Sequence, residues 1–356
     1  MEEVIAQFRL AGPAREILPF GGGHINDTFR IRTAAGTPDY LLQRINHHVF
    51  RDVAALTANI RLVTGHLHRR MAEAPAAEQV TLTIVPTRGE ADYCRDAYGD
   101  YWRVFEFLDG LHAYDRVATP RQAYEGARSF GYFLRFLDDL PAERLTATIP
   151  GFHDLALRLR QFRTAAAAPA GDRGAATVPE RAQVHALADR LLLIDQLAKD
   201  GGLRARVTHN DTKFNNVLLT PADRGRCVVD LDTVMPGVVA FDFGDGVRTG
   251  AATAAEDAAD LPSVGVDLEH FRAFTAGYLS VTRDVLTPTE LELLGLSGAY
   301  MAFIMGVRFL TDYLAGDTYY KVRYPEQNLV RARNQLRLAE EFTARRADLD
   351  AIVAGA

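Results

Sequence analysis

The sequence predicts an α+β chain in two lobes: a small β-rich N-terminal lobe and a larger, mainly helical C-terminal lobe. Three observations predict it. Up to residue 107 the chain reads mostly as short strand patterns separated by Gly- and Asp-rich turns. Beyond Asp109-Gly110 the apolar period lengthens to that of helices and holds almost to the end. The length, 356 residues, suits two domains or one bilobal unit. The expected division is 1–107 and 108–356.

Residues 17–20 and 28–32 flank Gly21-Gly22-Gly23 and read as a hairpin around a glycine-rich turn. Residues 40–45 form another short strand. Residues 52–68 have helical spacing, with Leu56, Ile60, Val63 and Leu67 on one face. Residues 81–85 and 102–107 are strand-like, the second after the turn-rich Asp96-Ala97-Tyr98-Gly99-Asp100. Thr119-Pro120 starts a helix, the hydroxyl capping and the proline taking the first helical position. Tyr124, Ala127, Phe130, Leu134 and Leu137 are expected inward on it. Residues 164–179, rich in Ala, Gly and Pro, are expected to be an exposed, mobile connection. Helical patterns resume over 180–199. A loop, a short hairpin and another loop are expected over 207–250. The rest reads as helix, ending in a long one that begins near Pro325. The most apolar stretch, 293–314, is interrupted by Arg308 and Asp312 and reads as a buried helix, not a membrane span.

Composition narrows the class. With 48% apolar and 24% charged residues the chain can bury a sizeable core. A formal charge of −6 argues against a nucleic-acid partner. Cys94 and Cys227 lie far apart, so no disulfide framework is expected and a reducing, cytoplasmic location fits. Met1-Glu2-Glu3-Val4 lacks the basic start of a secretion signal, and no membrane partner is expected.

The chemistry is concentrated in Val207-Thr208-His209-Asn210-Asp211-Thr212-Lys213-Phe214-Asn215-Asn216. An Asp followed five residues later by an Asn is the spacing of a kinase catalytic loop. Phosphoryl transfer needs a carboxylate aimed at the attacking hydroxyl and an oxygen ligand on the magnesium that bridges the phosphates. A tight loop presents both on one side. Asp211 is thus the expected base and Asn216 a magnesium ligand. A hairpin follows, its second strand running through Cys227-Val228-Val229 to Asp230, the expected second ligand. The literal Asp242-Phe243-Gly244 string lies too far downstream and does not follow the hairpin. Asp242 is read as a buried acceptor that braces the loop. Lys213 either neutralises charge on the transferred phosphoryl group or is a surface lysine, and its place in the motif favours the first. His209 is read as structural.

The nucleotide side is less orthodox. Gly22 and Gly23 are expected to let backbone N–H groups approach phosphates. Where a protein kinase places its phosphate lysine, this chain has Leu41-Leu42-Gln43-Arg44, so Gln43 or Arg44 is the substitute. Backbone groups at Glu106 and Leu108, where the lobes join, are expected to hold adenine. Arg308, in an apolar helical stretch, either braces core carboxylates or reaches a substrate pocket. His24 alone reads as structural.

The blocks Phe20-Gly21-Gly22-Gly23-His24-Ile25-Asn26-Asp27-Thr28, Thr208 to Asn216, Val229 to Gly237, Phe241 to Asp245, Arg308 to Leu314, and Tyr324-Pro325-Glu326 together resemble the N-acetylhexosamine 1-kinases, a branch of the aminoglycoside phosphotransferase and choline kinase-like superfamily. The resemblance runs almost end to end. It implies a protein-kinase-like two-lobed fold, ATP with magnesium, and transfer of the γ-phosphate to the anomeric hydroxyl of N-acetylglucosamine or N-acetylgalactosamine. It implies sugar contacts for His24, Arg308 and Tyr319 beside Asp211. Asp27, Arg44 and the 164–179 stretch depart from the pattern and leave the exact sugar open.

Three other readings compete. A kinase for aminoglycosides or another hydroxylated metabolite would keep Asp211, Asn216 and Asp230, but polycations favour an acidic cleft and Arg308 opposes them. A non-catalytic nucleotide-binding module would be expected to have lost one of those three residues, and none is lost. A protein kinase is disfavoured because residues 231–241 alone separate Asp230 from Asp242, too few for an activation segment.

Overall fold

A computed structural model describes residues 1–21, 25–74 and 77–356. Gly22, Gly23 and His24 therefore lie outside the described residues. The N-terminal part comprises α1 (Glu2–Ile5), β1 (Ala14–Pro19), β2 (Asp27–Thr33), β3 (Tyr40–Ile45), α2 (Val53–Glu73), β4 (Ile84–Val85), β5 (Cys94–Arg95) and β6 (Tyr101–Glu106). The strands form one antiparallel sheet in the order β1-β2-β3-β6-β4, with β5 also on β6. The expected hairpin is β1–β2, with Ile17 opposite Ile31.

Strand alternation gives this sheet two different faces. Tyr40, Leu42, Trp102 and Val104 pack with Val4, Ile5 and Phe8 in a small core of their own. Ile45 and Phe105, on the opposite face, join the larger core of the helical part. The four apolar residues expected on one face of α2 are all buried in that larger core too. After β6 the chain is strapped to the helical part: His112 and Leu219 exchange backbone hydrogen bonds of 2.8 and 2.9 Å.

The helical part begins with α3 (Pro120–Phe136), where the Thr119 hydroxyl accepts the Gln122 N–H at 3.2 Å. It continues through α4 (Leu155–Ala167), α5 (Val178–Lys199), β7 (Arg206–Thr208), β8 (Val217–Leu219), β9 (Gly225–Val228), β10 (Met235–Gly237), α6 (Val239–Gly250), α7 (Leu268–Thr282), α8 (Pro288–Leu314), α9 (Gln327–Ala344) and α10 (Arg346–Gly355). Among the described residues α8 alone is long and apolar enough to cross a membrane, yet 89% of its most apolar window is buried inside the protein, so it is a core helix. A capping box at Thr287 and Glu290 starts it. Glu290 also takes Arg206 Nε and Nη2, each at 2.7 Å, which ties β7 to the head of α8. Both cysteines are buried and free.

Three expectations need correction. The 164–179 stretch is not a loose connection. α4 runs to Ala167, a 3-10 turn covers Gly171–Thr177, and Thr177 is fully buried. Ala170 N–H donates to the Leu314 carbonyl at 2.8 Å and Arg173 reaches the Tyr313 carbonyl at 2.6 Å. Alanine marks helix as readily as low complexity. The loop expected up to residue 250 is a helix from Val239. Its glycines, which lower helix propensity, serve packing: a Cβ on Gly244 would lie 2.4 Å from the Ser297 carbonyl of α8. The single long terminal helix is two, broken at Arg345.

Candidate active site

The loop expected to be catalytic links β7 to β8 and is braced from α6 and from the residues that follow β9. Asp242, in the first turn of α6, accepts the His209 N–H at 2.8 Å and the Asn210 N–H at 2.7 Å, one on each oxygen. Thr212 Oγ1 donates to the Asp242 carbonyl at 2.6 Å. Burial pushes the Asp242 carboxyl up to about 6, against the pull of His209 and the two N–H donors. The Asp-Phe-Gly string is thus a helical brace: Phe243 is fully buried among Phe271, Phe274 and Tyr278. His209 sits between Phe130 and Phe133 and bonds through Nε2 to the Val229 carbonyl at 2.8 Å, a structural position. Asn210 holds a left-handed φ of 63°, and its amide nitrogen donates to the Thr233 carbonyl at 3.0 Å.

Asp211 is held in the cleft by its neighbours. Lys213 Nζ lies 3.1 Å from its Oδ2. Asn216 Nδ2 donates to the Asp211 carbonyl at 2.7 Å and to Oδ2 at 3.2 Å. Burial tends to raise the Asp211 carboxyl, but Lys213, His209 and Arg248 together bring it below the usual carboxylate range. Asp211 is therefore ionised and able to accept a proton. Lys213 is raised, chiefly by Asp211 and against burial, and keeps its charge.

Asp230 follows β9 with φ 59°, a left-handed conformation that asparagine and aspartate tolerate better than most residues. Its carboxylate is open to the cleft and accepts no hydrogen bond among the described residues. Partial desolvation, with Asp232 and Asp211 near it, pushes it up to about 7, while Lys213 and Arg103 oppose the rise. An uncommitted carboxylate under this repulsion suits a hard cation. Asn216 suits it too, because its nitrogen is engaged and its carbonyl oxygen is the remaining donor. Among the described residues no three His, Cys, Asp or Glu side chains converge on a cation cage. Phosphate oxygens and water would complete the shell, as is usual for magnesium.

The family model for the phosphotransferase enzyme family (APH) matches residues 16–281, well over half of the chain. The chain belongs to that family. Solved structures agree on the fold of this phosphotransferase. An aminoglycoside phosphotransferase from Alicyclobacillus acidocaldarius is 14% identical, covers 100% of this chain and 97% of its own, and has a TM-score of 0.66. A microcompartment-associated aminopropanol kinase is 17% identical, with 97% of each chain covered and a TM-score of 0.62. A spectinomycin phosphotransferase, solved with ADP and spectinomycin, is 13% identical over 94% of this chain and 95% of its own, TM-score 0.56.

The phosphotransferase also has a candidate acceptor pocket. Arg308 and Tyr319 line a cavity of about 270 Å³ with Arg158, Gln161, Asp312 and Tyr320. His153 connects it to the loop that carries Asp211. Its Nε2 bonds to the Asn210 carbonyl at 2.9 Å, and the neighbouring Phe152 ring lies 5.0 Å beneath the Arg308 guanidinium. Because the partner is a carbonyl, Nε2 carries the proton. A larger groove of about 480 Å³ runs between α2 and residues 90–93, but none of the expected site residues lines it.

Gln43 and Arg44 fall on opposite faces of β3. Arg44 is exposed and pairs with Asp27 and with Asp100 at 3.1 Å. Gln43 is opposite Arg103, on the face turned toward Asp232. At the lobe junction the Glu106 N–H is already given to the Thr83 carbonyl at 3.0 Å, whereas Leu108 N–H has no partner among the described residues. Sequence reading missed Arg103, Arg158 and Tyr320. For Arg103 the signal was present: a lone arginine in the apolar strand Trp102-Arg103-Val104-Phe105.

His153 makes a pH prediction. Burial, helped by Arg308 and Arg158, drives its pKa from 6.5 down to about 3, with the Asn210 carbonyl opposing. The folded form therefore excludes a proton that the unfolded chain accepts. The stability this gives is complete above pH 6.5 and is lost as pH falls toward 3, at up to about 1.4 kcal/mol per pH unit. Urea midpoints measured at pH 7 and pH 5 should fall less in His153→Gln than in the wild type. Equal falls would contradict the reading.

Proposed function

We propose that this phosphotransferase transfers the γ-phosphate of ATP to the anomeric hydroxyl of an N-acetylhexosamine, N-acetylglucosamine or N-acetylgalactosamine. The observation that carries the acceptor class is the charge of the pocket. Among the described residues Arg308 has no carboxylate partner, and its one hydrogen bond is to Met305 Sδ at 3.5 Å. Arg158 gives its Nη1 to Gln161 and its Nη2 to the Phe152 carbonyl, each at 3.0 Å, and among the described residues has no carboxylate partner either. Asp312 shares the pocket, but its oxygens accept from the Thr318, Tyr319 and Tyr320 N–H groups and from Asn328. Two such guanidiniums repel a cationic acceptor and can donate to hydroxyl or acetamido oxygens. Aminopropanol, named for one similar structure, is an amine and does not suit this pocket. The choice of N-acetylhexosamine among uncharged acceptors rests on the sequence resemblance of the His24 and Arg308 blocks.

The chain's residues then divide the work. Asp211 accepts the proton of the sugar hydroxyl as its oxygen attacks the γ-phosphorus, and ADP leaves with the bridging oxygen. Lys213 offsets charge on the transferred group. Asp230 and Asn216 would hold magnesium, which supplies charge neutralisation across the phosphates. Backbone groups at Glu106 and Leu108 would hold adenine, and Gln43, Gly22 and Gly23 complete the nucleotide side. Residues 1–107 form the nucleotide lobe and 108–356 the acceptor lobe in this account.

An acceptor panel with ATP and magnesium, read as ADP release, tests the proposal. N-acetylhexosamines should be turned over well, glucose and galactose poorly, and choline or ethanolamine not at all. Turnover of the amines alone would remove the acceptor assignment. Arg308→Leu should raise the sugar KM about tenfold or more, since a buried hydrogen bond to a charged donor is lost, and leave the ATP KM nearly alone. A matching melting curve separates this from damage to α8. An unchanged sugar KM would place Arg308 outside the contact set.

A further inference from the structure

A row of polar side chains crosses the sheet on the face turned toward Asp232. Thr28 on β2 accepts from Gln43 Nε2 at 3.2 Å, and Gln43 Oε1 on β3 accepts from Arg103 Nε and Nη2 at 3.0 and 2.8 Å. The register sets Thr28 opposite Gln43 and Gln43 opposite Arg103. Apolar Ile45 and Phe105 share that face. Arg103 is only 3% exposed, and a guanidinium so placed needs an anion.

The anion it has is imperfect. Arg103 Nη1 lies 2.5 Å from Asp232 Oδ1, yet the contact is not aligned as a hydrogen bond, and neither atom has a well-directed partner among the described residues. Asp232 is also held from the N-terminal part by Asn26 Nδ2, 2.5 Å from its Oδ2. Arginine offers five N–H donors in a fixed fork. Gln43 engages one edge of that fork and leaves Nη1 free to change partner. Asp232 stands two residues from Asp230, so the free end of the fork lies beside the loop where the phosphates must come.

Kinases set a cation on the N-terminal sheet against the nucleotide phosphates. On β3 neither position supplies one here: Gln43 is neutral, and Arg44 is on the opposite face. We propose that Arg103, supplied from β6 and clamped by Gln43, is the side chain that binds the phosphates of the nucleotide. Without nucleotide it rests against Asp232. With nucleotide, Nη1 turns to a phosphate oxygen while Asn26 keeps hold of Asp232. The inference rests on the ATP-dependent reading above.

Calorimetry without acceptor tests it, using adenosine, ADP and a non-hydrolysable ATP analogue with magnesium. Arg103→Met alone would strand Asp232, so the informative protein is Arg103→Met in an Asp232→Asn background, compared with Asp232→Asn alone. It should bind ADP and the analogue at least about tenfold more weakly, the scale of a lost hydrogen bond to a charged group. Adenosine affinity should stay within about twofold, because no phosphate is involved. Arg103→Lys in the wild-type background should show a smaller loss, again confined to the phosphate-bearing ligands, and stands in if the double variant fails to fold. Equal losses for adenosine and ADP, or no loss at all, would overturn the proposal. A wild-type protein that binds neither ADP nor the analogue would overturn the kinase reading and this inference together. Wild-type binding that persists in the variants removes this inference alone.

Discussion

Asp211→Ala lowers kcat by about 10²–10⁴-fold, the range for a positioned acid or base, and leaves the affinity for ATP close to that of the wild type. The expectation follows from how the carboxylate is held. Lys213 at 3.1 Å and the Asn216 amide at 3.2 Å both meet Oδ2, and Asp211 is ionised. The loop does not depend on this side chain for its shape. Asp242, Thr233 and Asn210 supply the bracing hydrogen bonds, including Thr233 Oγ1 to the His209 carbonyl at 2.7 Å. Single-turnover rates with saturating sugar measure the loss, and circular dichroism checks the fold. A variant that keeps near-full turnover would show that another group takes the proton.

Asp230→Asn raises the magnesium concentration needed for half-maximal activity by about tenfold or more, since even the outer partners of metal ligands are worth that much. The cation loses an anionic oxygen. The geometry makes this residue, and not its neighbours, the sensitive one. Both Asp242 oxygens are committed to backbone N–H groups, and Asp232 is held by Asn26. Titrating magnesium at fixed ATP is the measurement. An unchanged requirement would move the metal site away from Asp230.

The loop that carries Asp211 and the hairpin after it were legible because their logic is local. Asp211 and Asn216 are five residues apart, and the hairpin to Asp230 is a short excursion that strand and turn residues announce. That Asp242 braces the loop and does not end the hairpin was legible for the same reason, through distance along the chain. What was not legible depends on register and distant packing. Arg103 meets Gln43 only because β6 pairs with β3, and no spacing within either strand reveals that. Arg158 joins Arg308 only because α4 packs against α8. The helix over Val239–Gly250 was hidden by glycines whose reason, close approach to Ser297 and Phe274, lies on other helices. The 164–179 stretch was misread because its anchors, Leu314 and Tyr313, are far away in sequence.

The position of the phosphate on the product tests the central claim most directly. The protein is incubated with ATP, magnesium and N-acetylglucosamine, and the product is examined by phosphorus and proton NMR. The account predicts a sugar 1-phosphate, with phosphorus coupled to the anomeric proton, and no such product from Asp211→Ala on the same time scale. Phosphate on the C6 oxygen, or ADP formed with no phosphorylated sugar, would contradict it.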